Sequence, residues 1–167
     1  MDNIDFEQRV RGVSRQLSKL CCRLYICRMD AEDLYQTTLL TAFRFFDKYD
    51  REKPFDRWVY SICLNTYRNQ YKKQKKYSEA AFSSTEEKNA FIETIAARCD
   101  EYNEESEIRQ IVDSLDVKKK AVIILYYFED LKIGDIAKIL KIHEGTVKKR
   151  LFDARRIIRE RMQGNYE

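Results

Sequence analysis

Basic side chains recur at helical spacing along residues 132–156, which read KIGDIAKILKIHEGTVKKRLFDARR. The apolar residues repeat every three or four positions and form one stripe: Ile133, Ile136, Ala137, Leu140, Val147, Leu151 and Ile158, with Ile142 in a turn between two helices. Lys148, Lys149, Arg155 and Arg156 then face outward. A cationic second helix after a tight turn is typical of a helix-turn-helix, which reads DNA in the major groove. The alternative is a basic surface helix that contacts only solvent, but such a helix would not need the tight turn before it.

Charge is distributed in blocks along the chain, although the net charge is only +4. Residues 66–76 contain five cations and no acid: Arg68, Lys72, Lys73, Lys75 and Lys76. Residues 78–107 contain nine acids against Lys88 and Arg98. Two basic blocks on either side of an acidic connector indicate a partner with negative charge, such as nucleic acid.

The elements that must position these cations are helices. One proline and four glycines punctuate the 167 residues, and no sustained alternation indicates a strand, so we predict an all-α protein. Two small helical domains are expected, at residues 1–77 and 108–167, joined by a flexible acidic linker at 78–107.

The first domain is predicted to contain three helices. The first is a long amphipathic helix whose apolar face, called the seam, consists of Phe6, Val10, Val13, Leu17, Leu20 and Leu24. Asp30 and Asp33 have a cap-like spacing before a second helix with Leu34, Leu39, Ala42, Phe43 and Phe46. Pro54 suits the first turn of a third helix, whose apolar face is Phe55, Trp58, Val59, Ile62, Cys63 and Thr66.

Several classes of protein are excluded. The first residues lack the apolar core of a secretory signal, and the longest apolar run, residues 121–128, is too short to span a bilayer. We therefore expect a cytoplasmic protein without membrane insertion of its own. His143 is the only histidine, and the five cysteines contain no C-x-x-C pair, so no metal site, cofactor or catalytic cluster is expected. Cys21 and Cys63 fall on apolar helical positions and are interpreted as small buried residues.

The order AEDLYQTTLLTAFRFFDKYD, then PFDRWVYSICLNTYRN, then a linker, then DVKKKAVIILYYFEDLKIGDIAKILKIHEGTVKKRLFDARRIIR resembles bacterial sigma factors of the extracytoplasmic-function class. The two blocks are similar to sigma regions two and four. The resemblance implies an alternative sigma factor that binds core RNA polymerase, directs it to promoters and helps open the DNA. It also implies restraint by an anti-sigma factor.

The resemblance assigns polymerase contacts to this chain. Asp33, Gln36 and Thr37 match the family's segment that docks on the clamp helices of the largest subunit. The flap region of polymerase is the second expected contact. The family often has Glu at the position of Thr37, so a hydroxyl hydrogen bond here would replace an ionic contact.

The resemblance also assigns promoter contacts. For the minus-ten element, the expected residues are Lys48, Tyr49, Arg51, Lys53, Asn65, Arg68 and Lys72. An aromatic side chain beside cations can stack a splayed base, and the Asn65 amide can hydrogen-bond a base that has left the stack. For the minus-thirty-five element, the expected residues are Glu144, Thr146, Lys148, Lys149, Phe152 and Arg155.

Three residues of the helix-turn-helix depart from the family pattern. Lys141 occupies a position where the family usually has Gly, so a left-handed backbone there would cost about 1 kcal/mol. His143 replaces the usual Ser cap. Asp153 lies where many relatives have a cation. A carboxylate there would either favour the cytosine amino group over guanine or face away from the DNA.

Two other functions are compatible with parts of the sequence. A helix-turn-helix regulator could bind a duplex operator as a dimer without polymerase, but it would leave residues 1–77 unexplained. An enzyme with a DNA-binding tail would need a phosphate loop, a nucleophile with a histidine partner or a metal cluster, and the sequence contains none of these motifs.

Overall fold

The computed structural model describes residues 3–81 and 107–164. Within these residues every regular element is helical, which confirms the predicted all-α class. The first part contains α1 (Asn3–Leu24), α2 (Arg28–Arg44), a 3₁₀ turn (Phe46–Lys48) and α3 (Phe55–Ala81). We call residues 3–81 the N-terminal module. None of the described helices combines the length and apolarity needed to cross a membrane.

The N-terminal module buries the seams that the sequence predicts. Leu17, Leu20 and Leu24 of α1 are completely buried, together with Leu34 of α2 and Val59 of α3. These three amphipathic helices pack with their apolar faces together, because each face would otherwise meet water. The Cys21 and Cys63 thiols lie inside this core with their sulfur atoms 3.8 Å apart.

An aromatic cluster fixes the loop before α3. Phe6, Phe46, Tyr49 and Phe55 lie within it, and the edge-to-face pairs of Phe6 have ring centroids 5.1 to 6.3 Å apart. Trp58 stacks obliquely on Tyr49 at 4.9 Å. Such rings stabilise the core because they bury a large apolar area, and packing of Tyr49 in this cluster fixes the start of the loop at 49–54.

Residues 107–164 form the C-terminal module. It contains α4 (Glu107–Asp113), α5 (Val117–Ile123), a π-helical segment (Ile124–Phe128), α6 (Ile133–Leu140) and α7 (Glu144–Gly164). Asp116 caps α5, because its carboxylate accepts hydrogen bonds from the main-chain nitrogens of Lys118 and Lys119, both at 3.0 Å.

Helices α6 and α7 form the predicted helix-turn-helix. Ile136, Val147 and Leu151 are buried between the helices and the rest of the module. Lys141 ends α6 in the left-handed region at φ 53° and ψ 49°, so the backbone conformation expected of a glycine is adopted by a lysine. The main-chain oxygen of His143 accepts the first hydrogen bonds of α7.

The two modules pack against each other. The sequence predicted two lobes joined by a tether and did not predict how they are placed. Helix α3 contacts α6, and α1 contacts the π-helical segment. The buried apolar residues of both modules form one contiguous cluster. Each module is small and leaves apolar surface that the other covers.

Two boundaries differ from the prediction. Helix α2 begins at Arg28 with Cys27 as its cap residue, so Asp30 lies in the first turn, where its charge still favours the helix start. Helix α3 continues through Ala81, beyond the predicted boundary at residue 77. The rest of the predicted linker, residues 82–106, lies outside the described residues.

Candidate nucleic-acid interface

The outer face of α7 presents cations around an exposed aromatic ring. Lys149, Phe152 and Arg156 are spaced by three and four residues and so share one face, opposite the buried Val147 and Leu151. Phe152 is 67% exposed, which is unusual for a phenylalanine. Lys148 lies at the edge of this face. A cationic surface with an apolar centre can contact phosphates and thymine methyl groups in a major groove.

Glu144 and Thr146, both predicted to contact the minus-thirty-five element, lie in the first turn of α7. The Glu144 carboxylate lies beside α6, where a Cβ added to Gly134 would be 3.2 Å from Oε1. A Cβ at 134 would require only a small shift of this exposed side chain. The Thr146 main-chain nitrogen donates to His143 O at 2.9 Å, and the side chain is half-buried.

Arg155 is engaged within the protein. Its Nε donates to the Tyr127 hydroxyl at 2.7 Å, and its guanidinium lies over the rings of Tyr126 and Tyr127 at 5.4 and 5.5 Å. These contacts turn the side chain towards the π-helical segment. The side chain is nevertheless exposed, so its contact with the minus-thirty-five element stays a prediction.

Arg150 faces the N-terminal module. Partial burial lowers the pKa of its guanidinium, Asp116 opposes that shift, and the nearby Arg68 lowers the pKa further. Arg150 and Arg68 belong to different modules, so two like charges approach each other across the interface.

Three of the residues predicted for the minus-ten element lie in one cleft of about 650 Å³. Lys48, Asn65 and Arg68 line it, and Arg68 donates to Asn65 Oδ1 at 3.3 Å. The opposite wall belongs to the C-terminal module and consists of Ile139, Leu140, Lys141 and Ile142. The cleft thus combines cations, an amide and the Trp58 ring, which suits a single-stranded nucleic acid.

The other predicted cations lie outside this cleft. Arg51 pairs with Asp5 of α1 at 3.5 Å, and Lys53 pairs with Asp50 at 3.4 Å. Lys72 is exposed one turn beyond Arg68 on α3. These residues could contact a strand that continues past the cleft, but the fold does not bring them together.

Tyr49 is a core residue in this fold. Its side chain is only 6% exposed and packs against Phe46, Phe55 and Trp58. Its hydroxyl donates to the main-chain oxygen of Lys53. The Arg9 guanidinium also lies over the ring, 5.6 Å from its centroid, so the buried ring is not available to stack on a splayed base and the expectation for Tyr49 is corrected.

The predicted polymerase-docking residues share the outer face of α2. Asp33 and Gln36 are exposed, Thr37 is half-buried, and the Asp33 carboxylate accepts a hydrogen bond from Gln70 Nε2 at 2.9 Å. The sequence analysis missed two apolar residues on this face, Met29 at 76% and Leu40 at 70% exposure. Their spacing from Asp33, four residues before and seven after, was the available signal.

A second, apolar groove lies on the C-terminal module. It has a volume of about 570 Å³ and is lined by Ile108, Val112, Ile123, Tyr127, Phe128, Arg155, Ile158, Arg159, Met162 and Gln163. A groove of this kind between helices suits an amphipathic helix of a partner.

Comparisons with known proteins match both modules. The family described as Sigma-70 region 2 matches residues 10–77, and Sigma-70, region 4 matches residues 105–158. An "ECF RNA polymerase sigma-E factor" of Haemophilus influenzae is 30% identical, over 90% of this chain and 85% of its own length. The "ECF RNA polymerase sigma factor SigW" of Bacillus subtilis is 27% identical, over 89% and 83%.

Solved structures share the fold. The sigma factor RpoE of Bartonella quintana, in complex with the anti-sigma factor NepR, has a TM-score of 0.74 at 20% identity, covering 95% of this chain and 97% of that one. CnrH in complex with the cytosolic domain of CnrY has a TM-score of 0.66 at 21% identity, covering 95% and 88%.

Proposed function

This chain belongs to the sigma-70 family and is a sigma factor of the extracytoplasmic-function class, and we propose how its two modules divide the work of such a protein. Sigma factors of this class direct core RNA polymerase to promoters and are not enzymes. The N-terminal module docks on polymerase and holds one strand of the opened minus-ten element. The C-terminal module reads the duplex at the minus-thirty-five element. The protein acts in the cytoplasm, where polymerase is found.

Polymerase docks on the outer face of α2. Asp33, Gln36 and Thr37 contact the clamp helices of the largest subunit, and the exposed Met29 and Leu40 add apolar area at the two ends of this face. Large apolar side chains exposed beside fixed polar groups are typical of protein interfaces. The hydrogen bond from Gln70 orients the Asp33 carboxylate before the partner arrives.

The minus-ten strand binds in the cleft. Asn65 contacts an unstacked base, while Lys48 and Arg68 neutralise phosphates on either side. Arg51, Lys53 and Lys72 extend the path of the backbone beyond the cleft.

The minus-thirty-five duplex binds on α7. Lys148, Lys149 and Phe152 read base edges or the adjacent backbone, and Arg156 adds a phosphate contact. Glu144 and Thr146 contact the DNA from the first turn of the helix.

The apolar groove of the C-terminal module receives a helix of the polymerase flap region. Tyr127, Phe128, Ile158 and Met162 provide its apolar surface, and Arg155 is held at its rim by Tyr127. An anti-sigma factor is a further expected partner, because the RpoE structure of similar fold contains the bound anti-sigma factor NepR.

One observation carries this proposal: a single chain presents a strand-sized polar cleft and, in a separate module, a helix-turn-helix with an exposed cationic face. The test is transcription reconstituted from this protein, core RNA polymerase and fragments of the source genome. Promoter-specific transcripts are expected with the wild type. The Asp33→Ala/Gln36→Ala variant should lose them, whereas Arg11→Ala, an exposed change on α1, should not. Absence of specific transcripts with the wild type would overturn the proposal.

A further inference from the structure

Tyr49 lies directly behind the cleft that contains Asn65. The preceding residue, Lys48, lines this cleft, and the Tyr49 ring packs at 4.9 Å on Trp58, which lines it from α3. Tyr49 itself is only 6% exposed. A buried ring in this place supports two residues of the cleft from the protein side, where packing restricts how far they can move.

The loop after Tyr49 is exposed but anchored at both ends. Residues 50–54 are exposed, whereas Tyr49 and Phe55 on either side of them are buried, with ring centroids 5.3 Å apart. At the start of the loop, the main-chain nitrogen of Tyr49 donates to Phe46 O at 3.0 Å. At its end, the Tyr49 hydroxyl donates to the main-chain oxygen of Lys53. One residue therefore joins the two ends of the loop.

Hydrogen bonds also order the loop internally. The main-chain nitrogen of Lys53 donates to Asp50 O at 3.0 Å, and that of Glu52 donates to Asp50 Oδ1 at 3.2 Å. Pro54 restricts the backbone of the preceding Lys53 to extended conformations. Residues 50–54 read DREKP, so the loop has no large apolar side chain with which to anchor itself in the core. Its order depends on these hydrogen bonds and on Tyr49.

An ordered loop favours binding of a strand beside the cleft. Arg51 and Lys53 are the cations of this loop, and they follow the cleft residue Lys48 in the chain. A mobile loop would have to lose conformational freedom when these cations contact phosphates, and that loss would weaken binding. Because the Tyr49 hydroxyl already fixes the end of the loop, most of this loss is avoided.

We propose that Tyr49 is a positioning residue of the minus-ten site. Its hydroxyl, bound to the Lys53 oxygen, holds loop 50–54 ready for the opened strand, and its ring holds Trp58 at the wall of the cleft. This rests on the proposed function, because it takes the cleft to be the minus-ten site. Tyr49 therefore acts on the strand through other residues, from inside the protein.

The test uses holoenzyme reconstituted from the full chain and core RNA polymerase, with two labelled probes taken from a promoter recovered by reconstituted transcription. One probe is a single strand carrying the minus-ten element, and the other is a duplex carrying the minus-thirty-five element alone. Tyr49→Phe keeps the ring but removes the hydroxyl. It should weaken binding of the single strand about threefold to tenfold, the range of one neutral hydrogen bond, and leave duplex binding unchanged.

Tyr67→Phe is the matched control. It removes a hydroxyl from another buried tyrosine of the N-terminal module, outside the cleft, and should leave binding of both probes unchanged. A purely structural role of Tyr49 would affect the two probes equally, through the amount of folded protein. The ratio of the two affinities therefore separates positioning from stability.

Hydrogen exchange of the free chain provides a measurement that needs no promoter. The main-chain N–H groups of Glu52 and Lys53 are hydrogen-bonded within the loop, and they should exchange about threefold to tenfold faster in Tyr49→Phe than in the wild type or Tyr67→Phe. Unchanged exchange would overturn the role of Tyr49 in holding the loop.

Glu52→Gly takes the place of Tyr49→Phe if urea unfolding shows that the latter loses the fold. Glycine loosens the same loop without touching the aromatic cluster. The change also removes an acid beside the strand, which by charge alone would tighten binding. Binding of the single strand should nevertheless weaken about twofold, since ordering the glycine costs additional backbone entropy. Tighter binding would overturn the proposal.

Single-strand binding by folded Tyr49→Phe equal to that of the wild type, or equal losses on both probes, would overturn the positioning role. Unchanged single-strand binding by Asn65→Ala would instead overturn the assignment of the cleft to the minus-ten element. The exchange measurement would still show whether Tyr49 holds the loop.

Discussion

The ammonium of Lys120 donates a hydrogen bond to the main-chain oxygen of Leu24, 2.7 Å away, at the point where α1 ends. Carbonyl groups in the last turn of a helix have no partner within it, and they attract cations. Asp113 lies 2.7 Å from the same ammonium, although the side chain of Lys120 is almost completely buried. Burial lowers the pKa of Lys120, and Asp113 opposes this shift. The C-terminal module thereby caps a helix of the N-terminal module.

Replacing Lys120 should therefore destabilise the fold. Lys120→Met keeps the length of the side chain but leaves the Leu24 oxygen and one side of Asp113 unsatisfied. We expect the free energy of unfolding in urea to fall by about 2 kcal/mol. Lys118→Met, at an exposed position of the same helix, is the control and should change it little. Equal stability of the two variants would argue against the cap.

Lys149 and Arg155 should differ in their effect on promoter binding. Lys149 faces outward on α7, so Lys149→Ala should weaken binding to a duplex containing the minus-thirty-five element by about 1–3 kcal/mol. Arg155 is engaged with Tyr127, so Arg155→Ala should leave the salt dependence of duplex binding nearly unchanged. Binding curves of the holoenzyme at several salt concentrations provide the measurement. A loss of duplex affinity for Arg155→Ala as large as that for Lys149→Ala would show that Arg155 contacts the DNA.

Asn65 should matter for strand opening rather than for duplex binding. Asn65→Ala removes the amide from the cleft and should reduce permanganate reactivity of thymines in the minus-ten region, while the holoenzyme still occupies the upstream element. Asn69→Ala changes an exposed amide on the same helix, outside the cleft, and should behave as wild type. Wild-type reactivity in Asn65→Ala would remove Asn65 from the site.

A glycine at position 141 should stabilise the helix-turn-helix. The left-handed backbone of Lys141, at φ 53°, is disfavoured by its Cβ, so Lys141→Gly should raise the free energy of unfolding by about 1 kcal/mol. Lys141→Ala keeps the Cβ and should be nearly neutral. Thermal or urea unfolding checks both variants, and a destabilised glycine variant would contradict the argument.

Stability should fall as the pH rises above about 10, the pKa of tyrosine in an unfolded chain. Burial, followed by the nearby Tyr71 and Asp113, raises the pKa of Tyr67 in the folded protein. The folded state therefore keeps a proton that the unfolded state loses, and each further rise in pH favours unfolding. Tyr67→Phe should flatten this alkaline decline in the free energy of unfolding, whereas the exposed Tyr77→Phe should not. Urea titrations between neutral and alkaline pH measure the difference.

The sequence by itself determined the helical class, the N-terminal seam and the helix-turn-helix. These features depend on periodicity and on local turns, which neighbouring residues impose on each other. The seam from Phe6 to Leu24 and the stripe from Ile136 to Leu151 are packed as their spacing predicts. The left-handed backbone at Lys141 was indicated by the family resemblance, because related chains usually have Gly at this position.

Only the tertiary structure decided which charged and aromatic residues face solvent. Tyr49 and Arg155 have the composition of nucleic-acid contacts, yet one is packed in an aromatic cluster and the other is held by Tyr127. The Glu129 carboxylate accepts hydrogen bonds from Arg23 and Tyr60, which lie 106 and 69 residues away in the sequence. The Lys120 ammonium donates to the main-chain oxygen of Leu24, 96 residues away. No local pattern encodes such pairs, because a carboxylate or an ammonium can be buried only where distant parts of the chain supply its partners.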